Sequence, residues 1–495
     1  MTAQELKNSI LQLAIQGKLV EQRPDEGTAE ELYRQIQSEK AKLLKAGKIK
    51  KEKPLPEITE DEIPFEIPET WEWVKVGNIG SWASGATPAR SNSEYYGGNI
   101  PWLKTGDLND KFITKIPEHI TQLAFEKTSV RLNPIGSVLI AMYGATIGKL
   151  GILNIEATTN QACCACIPFK GLNNKYLFYY LMAQRATFIK MAEGGAQPNI
   201  SKEKIVTSII PLPPLEEQKR IVAKIEEIFP YIERFGELRS QLRSISEDLR
   251  KSILQQAIQG KLVEQYPNDE PASELLKRIR AEKERLIKAG KIKKEKPLPP
   301  ITEEEMPFEI PKNWAWSSIN ELFFVTKLAG FEYTKYFTKG NIRADYPVHI
   351  VRAKNVKMGH FIENEDEAIS ADLSDLLYRS ALTKNCLLMT FIGAGIGDTC
   401  EYHSTKRHHL APNVAKIEPQ TDGILLQYYL IWLMSPEGQK SIEKIKKSTA
   451  QPSLSMETIR SIRVAVPPLA EQQRIVAKIE KILPLCDKLK SIKEK

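Results

Sequence analysis

Cysteine is scarce in this sequence, with six in 495 residues, and no stretch approaches the roughly 20 apolar residues that a membrane-spanning helix needs. Three of the cysteines crowd within residues 163–166, which is not the spacing of a disulfide framework. The first residues, Met1 to Lys7, are polar and lack the apolar core of a secretory signal. We therefore expect a soluble, cytoplasmic protein without membrane contact.

Complete catalytic motifs are also missing. Gly144 to Lys149 (GATIGK) nearly matches a phosphate-binding loop, but it is one residue short and Leu150 replaces the residue that would hold magnesium. Phe391 to Asp398 (FIGAGIGD) superficially resembles a glycine-rich cofactor turn, yet a similar turn occurs in the first segment without a cofactor motif. The Pro-Pro pairs at 213–214 and 467–468 follow Leu and Val, not the Asp or Asn of amino-group methyltransferases. These patterns favour tight turns and helix starts over a catalytic site.

Two clusters contain residue types that could ligate a metal. The cysteines of residues 163–166 have no nearby second pair of ligands, so packing along an apolar strand is the favoured interpretation. The segment 403–409 (HSTKRHH) could bind a metal, face DNA as a basic loop, or form a plain solvated loop. We predict no catalytic residue and no metal site.

Positive charge is in moderate excess, with a formal net charge of +8 and a pI near 8.9. This balance mildly favours a polyanionic partner. The lysines are densest in two tracts, at 45–53 and 288–296. Such tracts either neutralise phosphates or serve as solvated linkers, and both interpretations stay open here.

An internal repeat is the most informative feature of the sequence. Residues 9–22 (SILQLAIQGKLVEQ) recur at 252–265 with one difference, and a second repeat, RIVAKIE, occupies 220–226 and 474–480. The order is repeat one, variable segment, repeat two, and then the same again. The counterpart of the central stretch is therefore split between the two chain ends, which predicts a pseudo-twofold protein with circularly arranged repeats.

The repeated stretches carry apolar residues at a seven-residue step, which is typical of coiled-coil helices. We expect two long antiparallel helices, in which Pro230 and Pro484 each kink or break the helix. The positions predicted to form the coiled coil and to dock a partner are Ile221, Ile225, Ile228, Ile232, Phe235, Leu242, Leu249, Ile475, Ile479, Ile482 and Leu489.

The segments between the repeats contain short apolar runs punctuated by glycine, proline and asparagine, which is typical of strand-rich domains. The predicted fold class is α+β, with two globular mixed α/β domains separated by the two long helices. The predicted boundaries are an N-terminal helix and basic linker at 1–69, a first domain at 70–212, a central helix and basic linker at 213–312, a second domain at 313–466, and a C-terminal helix at 467–495.

Taken together, these motifs resemble the specificity subunit of Type I restriction–modification systems, and with the repeat order they cover nearly the whole chain. The motifs that carry the resemblance are Trp71–Gly77 (WEWVKVG), Gly98–Asp107 (GNIPWLKTGD), Gly144–Gly148, Gly195–Ser201 and Pro213–Gln218. The second variable segment departs from the pattern, because it lacks the Pro-Trp block and keeps only the Gly-Ala turn and Gln451-Pro452.

The resemblance implies a mechanism in which two target-recognition domains each read one half of a split, asymmetric DNA site. The paired helices set the spacer and dock two modification subunits, which bring S-adenosylmethionine and methylate adenine. Two motor-nuclease restriction subunits, which use ATP and magnesium, join to cleave unmodified double-stranded DNA. This chain would bind no cofactor and would not be an enzyme by itself.

Candidate DNA contacts lie in polar, turn-rich parts of the two variable segments. Arginine suits guanine and lysine suits phosphate, and each position could equally be an ordinary surface residue. The candidates are Thr87, Arg90, Ser91, Tyr95 and Lys104 in the first domain, and Lys335, Arg352, Lys354, Lys406, Arg407 and His408 in the second.

Two functions of other classes remain open from the residues alone. A self-contained methyltransferase or nuclease is disfavoured because its catalytic motifs are missing. A coiled-coil scaffold without a DNA role is disfavoured by the two large, divergent segments.

Overall fold

The structure is a computed structural model that describes residues 1–192, 199–290, 292, 298–363, 365–421, 423–447 and 452–490. It divides into two compact units, the first being Met1–Arg239 and the second beginning at Ser240. The repeated Gln197-Pro198 and its copy at Gln451 lie outside the described residues, as do residue 291 and residues 293–296 of the second lysine tract. The division falls inside one long helix.

In its described residues, the first unit combines helices with three small sheets. Its sheets have the strand orders β2-β9-β6-β7-β4, β5-β3-β8 and β1-β10, where the strands are β1 Glu72–Lys75, β2 Gly80–Ser84, β3 Tyr96–Leu103, β4 Lys111–Ile113, β5 His119–Ile120, β6 Val138–Ala141, β7 Leu150–Leu153, β8 Thr158–Thr159, β9 Cys163–Pro168 and β10 Ile209–Leu212. Its helices are α1 Ala3–Ile15, α2 Ala29–Lys45, α3 Gln122–Lys127, α4 Asn174–Ala183, α5 Arg185–Ala192 and α6 Lys202–Thr207, followed by α7 Leu215–Ile258, which continues into the second unit.

The part of the second unit that the structure describes contains four sheets, with the strand orders β12-β21-β18-β19, β16-β13-β20-β17, β11-β22 and β14-β15. The strands are β11 Ala315–Ser318, β12 Phe323–Lys327, β13 Val348–Val351, β14 Val356–Lys357, β15 His360–Phe361, β16 Ala368–Ile369, β17 Ala381–Leu382, β18 Cys386–Thr390, β19 Thr399–Tyr402, β20 His408–Leu410, β21 Val414–Pro419 and β22 Arg463–Val466. The helices are α8 Ala272–Lys288, α9 Ile319–Leu322, α10 Gly330–Tyr336, α11 Ala371–Leu376, α12 Leu426–Met434, α13 Pro436–Lys444, α14 Met456–Arg460 and α15 Leu469–Lys490.

The two units share the core of their topology. The order β2-β9-β6-β7 of the first unit recurs as β12-β21-β18-β19 in the second, and β5-β3-β8 recurs as β16-β13-β20. The pairing directions agree as well, because β3 and β13 each have one antiparallel and one parallel neighbour in these sheets. The prediction of two mixed α/β domains separated by a long helix is therefore confirmed.

The glycine-rich segments form tight turns between antiparallel neighbours. Gly144 and Gly148 adopt positive φ in the connection from β6 to β7, and Gly393, Gly395 and Gly397 do so between β18 and β19. This left-handed conformation favours glycine, which lacks a Cβ. The cysteines of residues 163–166 lie buried along β9, as the packing interpretation predicts.

Helix α7 is one helix of 44 residues, and it packs antiparallel to a different short helix in each unit. In the first unit, the Lys7 ammonium of α1 lies 2.7 Å from the Glu233 carboxylate of α7. In the second unit, the Ser246 hydroxyl of α7 donates to the Cys486 carbonyl of α15 at 2.6 Å. The repeated helix pair is thus completed by the two chain ends, as the circular repeat order predicts.

The sequence predicts a kink or a break at each proline, and the structure contradicts the break. Helix α7 continues through Pro230, and α15 continues through Pro484. Both prolines are exposed. Water can therefore satisfy the backbone carbonyl that loses its helical partner, which lowers the cost of proline inside the helix.

A buried carboxylate joins three repeated motifs in each unit. Glu217, which is 1% exposed, accepts hydrogen bonds from the Trp71 indole at 2.9 Å and from the Gln22 amide at 2.6 Å. In the second unit, Glu471 accepts from Trp314 and Gln265 in the same way. We call each set the carboxylate clamp. It holds the start of each α/β domain against the helix that follows that domain.

Candidate nucleic-acid interface

The first domain holds an arginine in a fixed orientation at its surface. The Arg90 guanidinium stacks on the rings of Tyr96 and Trp102, 4.4 and 4.9 Å from their centroids, and pairs with the Glu118 carboxylate. The Lys104 ammonium reaches the second oxygen of the same carboxylate at 2.6 Å. Hydrogen bonds from these two cations lower the pKa of Glu118, so it stays ionised at neutral pH.

This arrangement leaves much of the arginine accessible, because the Arg90 side chain is 54% exposed. A guanidinium that is already stacked and ion-paired loses little further conformational entropy when it binds two acceptor atoms that lie in one plane. The structure therefore places at this surface a pre-oriented donor group of the kind that reads guanine.

The remaining candidates of the first domain lie near this arginine, with different exposure. Thr87 and Ser91 are exposed, and the Thr87 hydroxyl donates to the amide oxygen of Gln161. Tyr95 is half-buried and packs against the small core around Trp102, so it is less available to a ligand than the sequence suggests. The sequence alone does not identify Tyr96, Trp102 or Glu118 as residues of this surface. The aromatic residues near Arg90 were the available signal, whereas nothing local marks Glu118.

In the second domain, the candidate cations are matched by carboxylates. Among the described residues Lys335 is the exception, and it lies over the Tyr336 ring at 4.9 Å. Most of the partners belong to one acidic segment, whose carboxylates are those of residues 363, 365, 366 and 367. The ion pairs are Arg352 with Glu367, Lys354 with Asp366 at 3.1 Å, Lys406 with Glu363 and Glu365 at 2.6 and 2.8 Å, and Arg407 with Asp375 at 2.7 Å.

The expectation that His408 belongs to a surface loop is wrong. His408 lies in strand β20 and is 3% exposed, and its Nδ1 atom is 2.8 Å from the Tyr402 hydroxyl. Burial lowers the pKa of His408, so its imidazole is neutral at pH 7. This residue supports the strand and does not offer a positive charge to a ligand.

The predicted helix positions divide into three groups. Those that are buried are Ile221, Ile225, Ile232, Ile475 and Ile479, those that are partly buried are Ile228 and Ile482, and those that are exposed are Phe235, Leu242, Leu249 and Leu489. For the exposed group, the structure contradicts a place in a coiled-coil seam within this chain.

The reason is that α7 presents two neighbouring faces. Its short partner helices approach the face that carries Ile232, Gly236 and Ser246. The apolar residues that precede the residues of this face by one position along the helix point away from these contacts. We call them the exposed stripe, and they are Tyr231, Phe235 and Leu238 in the first unit and Leu242, Ile245 and Leu249 in the second, with exposures from 37% to 74%. An exposed apolar heptad of this length is typical of a helix that binds another helix.

No helix in the described ranges combines the length and apolar character that crossing a bilayer requires.

Comparisons with known proteins agree with the duplicated fold. The chain matches the family model described as Type I restriction modification DNA specificity domain over residues 68–239 and 311–495. It is similar to the EcoAI specificity subunit of Escherichia coli, with 29% identity over 99% of this chain and 90% of that protein. It is also similar to the EcoEI specificity subunit of Escherichia coli, with 28% identity over 98% of this chain and 90% of that protein.

Among solved structures, the chain resembles one from a study of complex assembly and conformational transition of the type I R-M system. The TM-score is 0.62 at 16% identity, and the match covers 86% of this chain and 93% of that chain. This likeness concerns the fold.

Proposed function

Because the chain belongs to the family of Type I restriction modification DNA specificity domains, we propose that each of its two α/β domains reads one half of a bipartite, asymmetric DNA site. The observation that carries this proposal is one core topology that occurs twice with different surface side chains. Reading two different base sequences requires different side chains at the base edges, while the scaffold can stay the same. The first domain offers Arg90, and the second offers a different set of cations.

In this proposal the chain is a non-catalytic specificity subunit of a DNA methyltransferase and endonuclease in the cytoplasm. Two modification subunits bring S-adenosylmethionine and flip the target adenine out of the duplex, since methylation needs access to a base inside the stack. Two restriction subunits bring ATP and magnesium for cleavage. This chain supplies the sequence reading and holds the modification subunits.

The domain boundaries that we propose, 70–212 and 313–466, are supported by how each domain closes. Strand β1 pairs antiparallel with β10, and β11 pairs antiparallel with β22, so the beginning and the end of each domain meet in one small sheet. The domain can therefore be exchanged at its edges without cutting its larger sheets.

The helices dock the modification subunits through the exposed stripe of α7. Its six apolar residues follow alternating steps of four and three, which places them along one face of the helix. The length of α7, 44 residues or roughly 65 Å at 1.5 Å per residue, also makes it suited to fix the spacer between the half-sites.

Methylation mapping of genomic DNA tests this function. We expect adenine methylation at one split motif to disappear when the gene for this chain is removed and to return when it is restored. Unchanged methylation at every motif, in cells that contain an active modification subunit, would contradict the proposal.

Exchanging residues 75–205 for the corresponding segment of another specificity subunit should change one half of the methylated motif and leave the other half and the spacer unchanged. The reason is that the exchanged segment carries one recognition surface, while α7 is kept. Methylation sequencing of the hybrid provides the readout. A hybrid that changes both halves would show that the domains do not read DNA independently.

Replacing Arg90 by alanine should reduce methylation of the cognate site about 10- to 100-fold, the effect of losing one two-pronged contact with guanine of about 1–3 kcal/mol. The loss should be smaller at sites in which that guanine is already replaced. The measurement is the methylation rate of the assembled complex on duplexes that vary at single positions of one half-site.

Lys127→Ala provides a matched control for the Arg90 variant, because Lys127 is an exposed cation in the same domain. We expect little change from it. An equal loss on every duplex after Arg90→Ala would instead identify Arg90 as a phosphate contact.

A further inference from the structure

The second unit contains an apolar groove that its own side chains leave open. The groove has a volume of about 360 Å³ and lies among α7, α12, α15 and the edge of β19. Its apolar floor includes Leu254, Ile431, Val476, Ile479 and Leu483.

The internal repeat identifies the side chains that fill the position of this groove in the first unit. By the RIVAKIE register, Leu483 corresponds to Phe229. Tyr176 and Tyr428 donate to equivalent backbone carbonyls, so these two tyrosines correspond to each other. Alignment on this tyrosine pair matches Ile431 with Tyr179. In the first unit, the rings of Tyr179 and Phe229 meet edge to face at 5.7 Å. The second unit has two smaller aliphatic side chains at these positions.

A positive charge is also replaced in the second unit. In the first unit, the Lys175 ammonium pairs with the Glu226 carboxylate at 2.7 Å. The corresponding residues of the second unit are Gln427 and Glu480. The Gln427 amide donates to Glu401 at 2.7 Å, and within the described ranges Glu480 forms no ion pair.

The groove therefore has an acidic side. Glu401 and Glu480 both line it, and the Glu401 side chain is only 11% exposed. Burial raises the pKa of Glu401, and repulsion by Glu480 acts in the same direction. A cation placed between these carboxylates would stabilise their ionised forms and so oppose both the burial and the repulsion.

We propose that this groove binds a segment of the modification subunit in which an apolar or aromatic side chain stands beside a lysine or arginine. Such a segment supplies the two features that the first unit provides from its own chain, the ring volume and the positive charge. The groove is continuous with the helices proposed to dock this subunit, because α7 and α15 form part of its wall. The inference rests on the proposed function and adds that the two docking sites are unequal.

The test is to close the groove with the residues of the first unit. In the full chain, the triple variant Gln427→Lys, Ile431→Tyr, Leu483→Phe should weaken one of the two binding constants for the purified modification subunit at least tenfold and leave the other unchanged. Isothermal titration and sedimentation velocity measure the two constants and the stoichiometry.

A second variant avoids any change to the core. Glu480 is exposed, so Glu480→Lys should fold normally and should weaken the same binding constant by reversing the charge. Lys481→Glu is the matched control, because it installs the first unit's residue at the neighbouring exposed position. We expect it to leave both constants unchanged.

Two unchanged constants in both groove variants would overturn the groove proposal and leave the proposed function standing. Failure of the unaltered chain to bind the modification subunit would overturn the proposed function and the groove proposal together.

Discussion

Replacing Leu242 and Ile245 by aspartate will weaken binding of the modification subunit by more than 100-fold while α7 stays folded. Both residues belong to the exposed stripe, with 38% and 59% of their surface accessible, so neither forms a core contact on which α7 depends. In the complex they would be covered by the partner, and a buried carboxylate without a cation is costly. A hundredfold loss corresponds to about 2.8 kcal/mol.

The measurement is the binding constant from isothermal titration of the full chain with the purified modification subunit. Circular dichroism should show unchanged helix content, which separates lost docking from lost folding. Gln241→Asp with Ser244→Asp is the matched control, because both residues are exposed, lie on the same helix and gain the same two charges outside the stripe. Equal weakening in both variants would show that added charge alone is responsible.

The second large effect concerns the carboxylate clamp. Replacing Glu217 by alanine will lower the free energy of unfolding of the first unit by about 3 kcal/mol or more, because two buried donors, the Trp71 indole and the Gln22 amide, lose their acceptor. The second unit keeps its own clamp at Glu471. Denaturant unfolding should therefore show one transition that moves and one that does not.

Glu216→Ala is the control for this variant, since Glu216 is the exposed neighbour of Glu217 at the start of α7. Its loss should change unfolding by well under 1 kcal/mol, as expected for an exposed charge. Equal effects of the two substitutions would show that the clamp contributes nothing beyond the charge at the helix terminus.

The pH dependence gives an independent check of the clamp. Burial raises the pKa of Glu217 above its ordinary value of 4.5, and the hydrogen bonds from Trp71 and Gln22 oppose this only in part. The folded state therefore binds the proton more tightly than the unfolded state does. This contribution to stability is fully present below pH 4.5 and is lost as the pH rises through the raised pKa. Glu217→Gln should remove that slope.

Much of the domain organisation could be predicted from the sequence because it depends on local residue patterns. The repeats at 9–22 and 252–265 show the duplication and its circular order, and the glycine turns mark the strand connections. The heptad predicts a long helix, and α7 is that helix. These features depend on residue spacing along one chain segment, which periodicity reports directly.

The candidate DNA contacts were only partly predictable. The sequence selected Arg90 by its type, but the stacking on Trp102 and the pairing with Glu118 join segments that are distant in the chain. The same holds for His408, which the sequence placed in a loop and the structure places in a buried strand. Burial depends on what packs over a residue, and neighbouring residues in the sequence do not specify this.

The sequence by itself determined that this protein has two α/β domains on repeated helices, that it belongs with specificity subunits, and that an apolar heptad runs along its central helix. Only the tertiary structure decided which face of that helix is covered. The turns and the carboxylate clamps fix how α1 and α15 approach α7. Both short helices approach the face of α7 that carries Ile232 and Ser246. An apolar residue is stabilised equally by any apolar neighbour, so the heptad could not specify whether its partner lies in the same chain or in another.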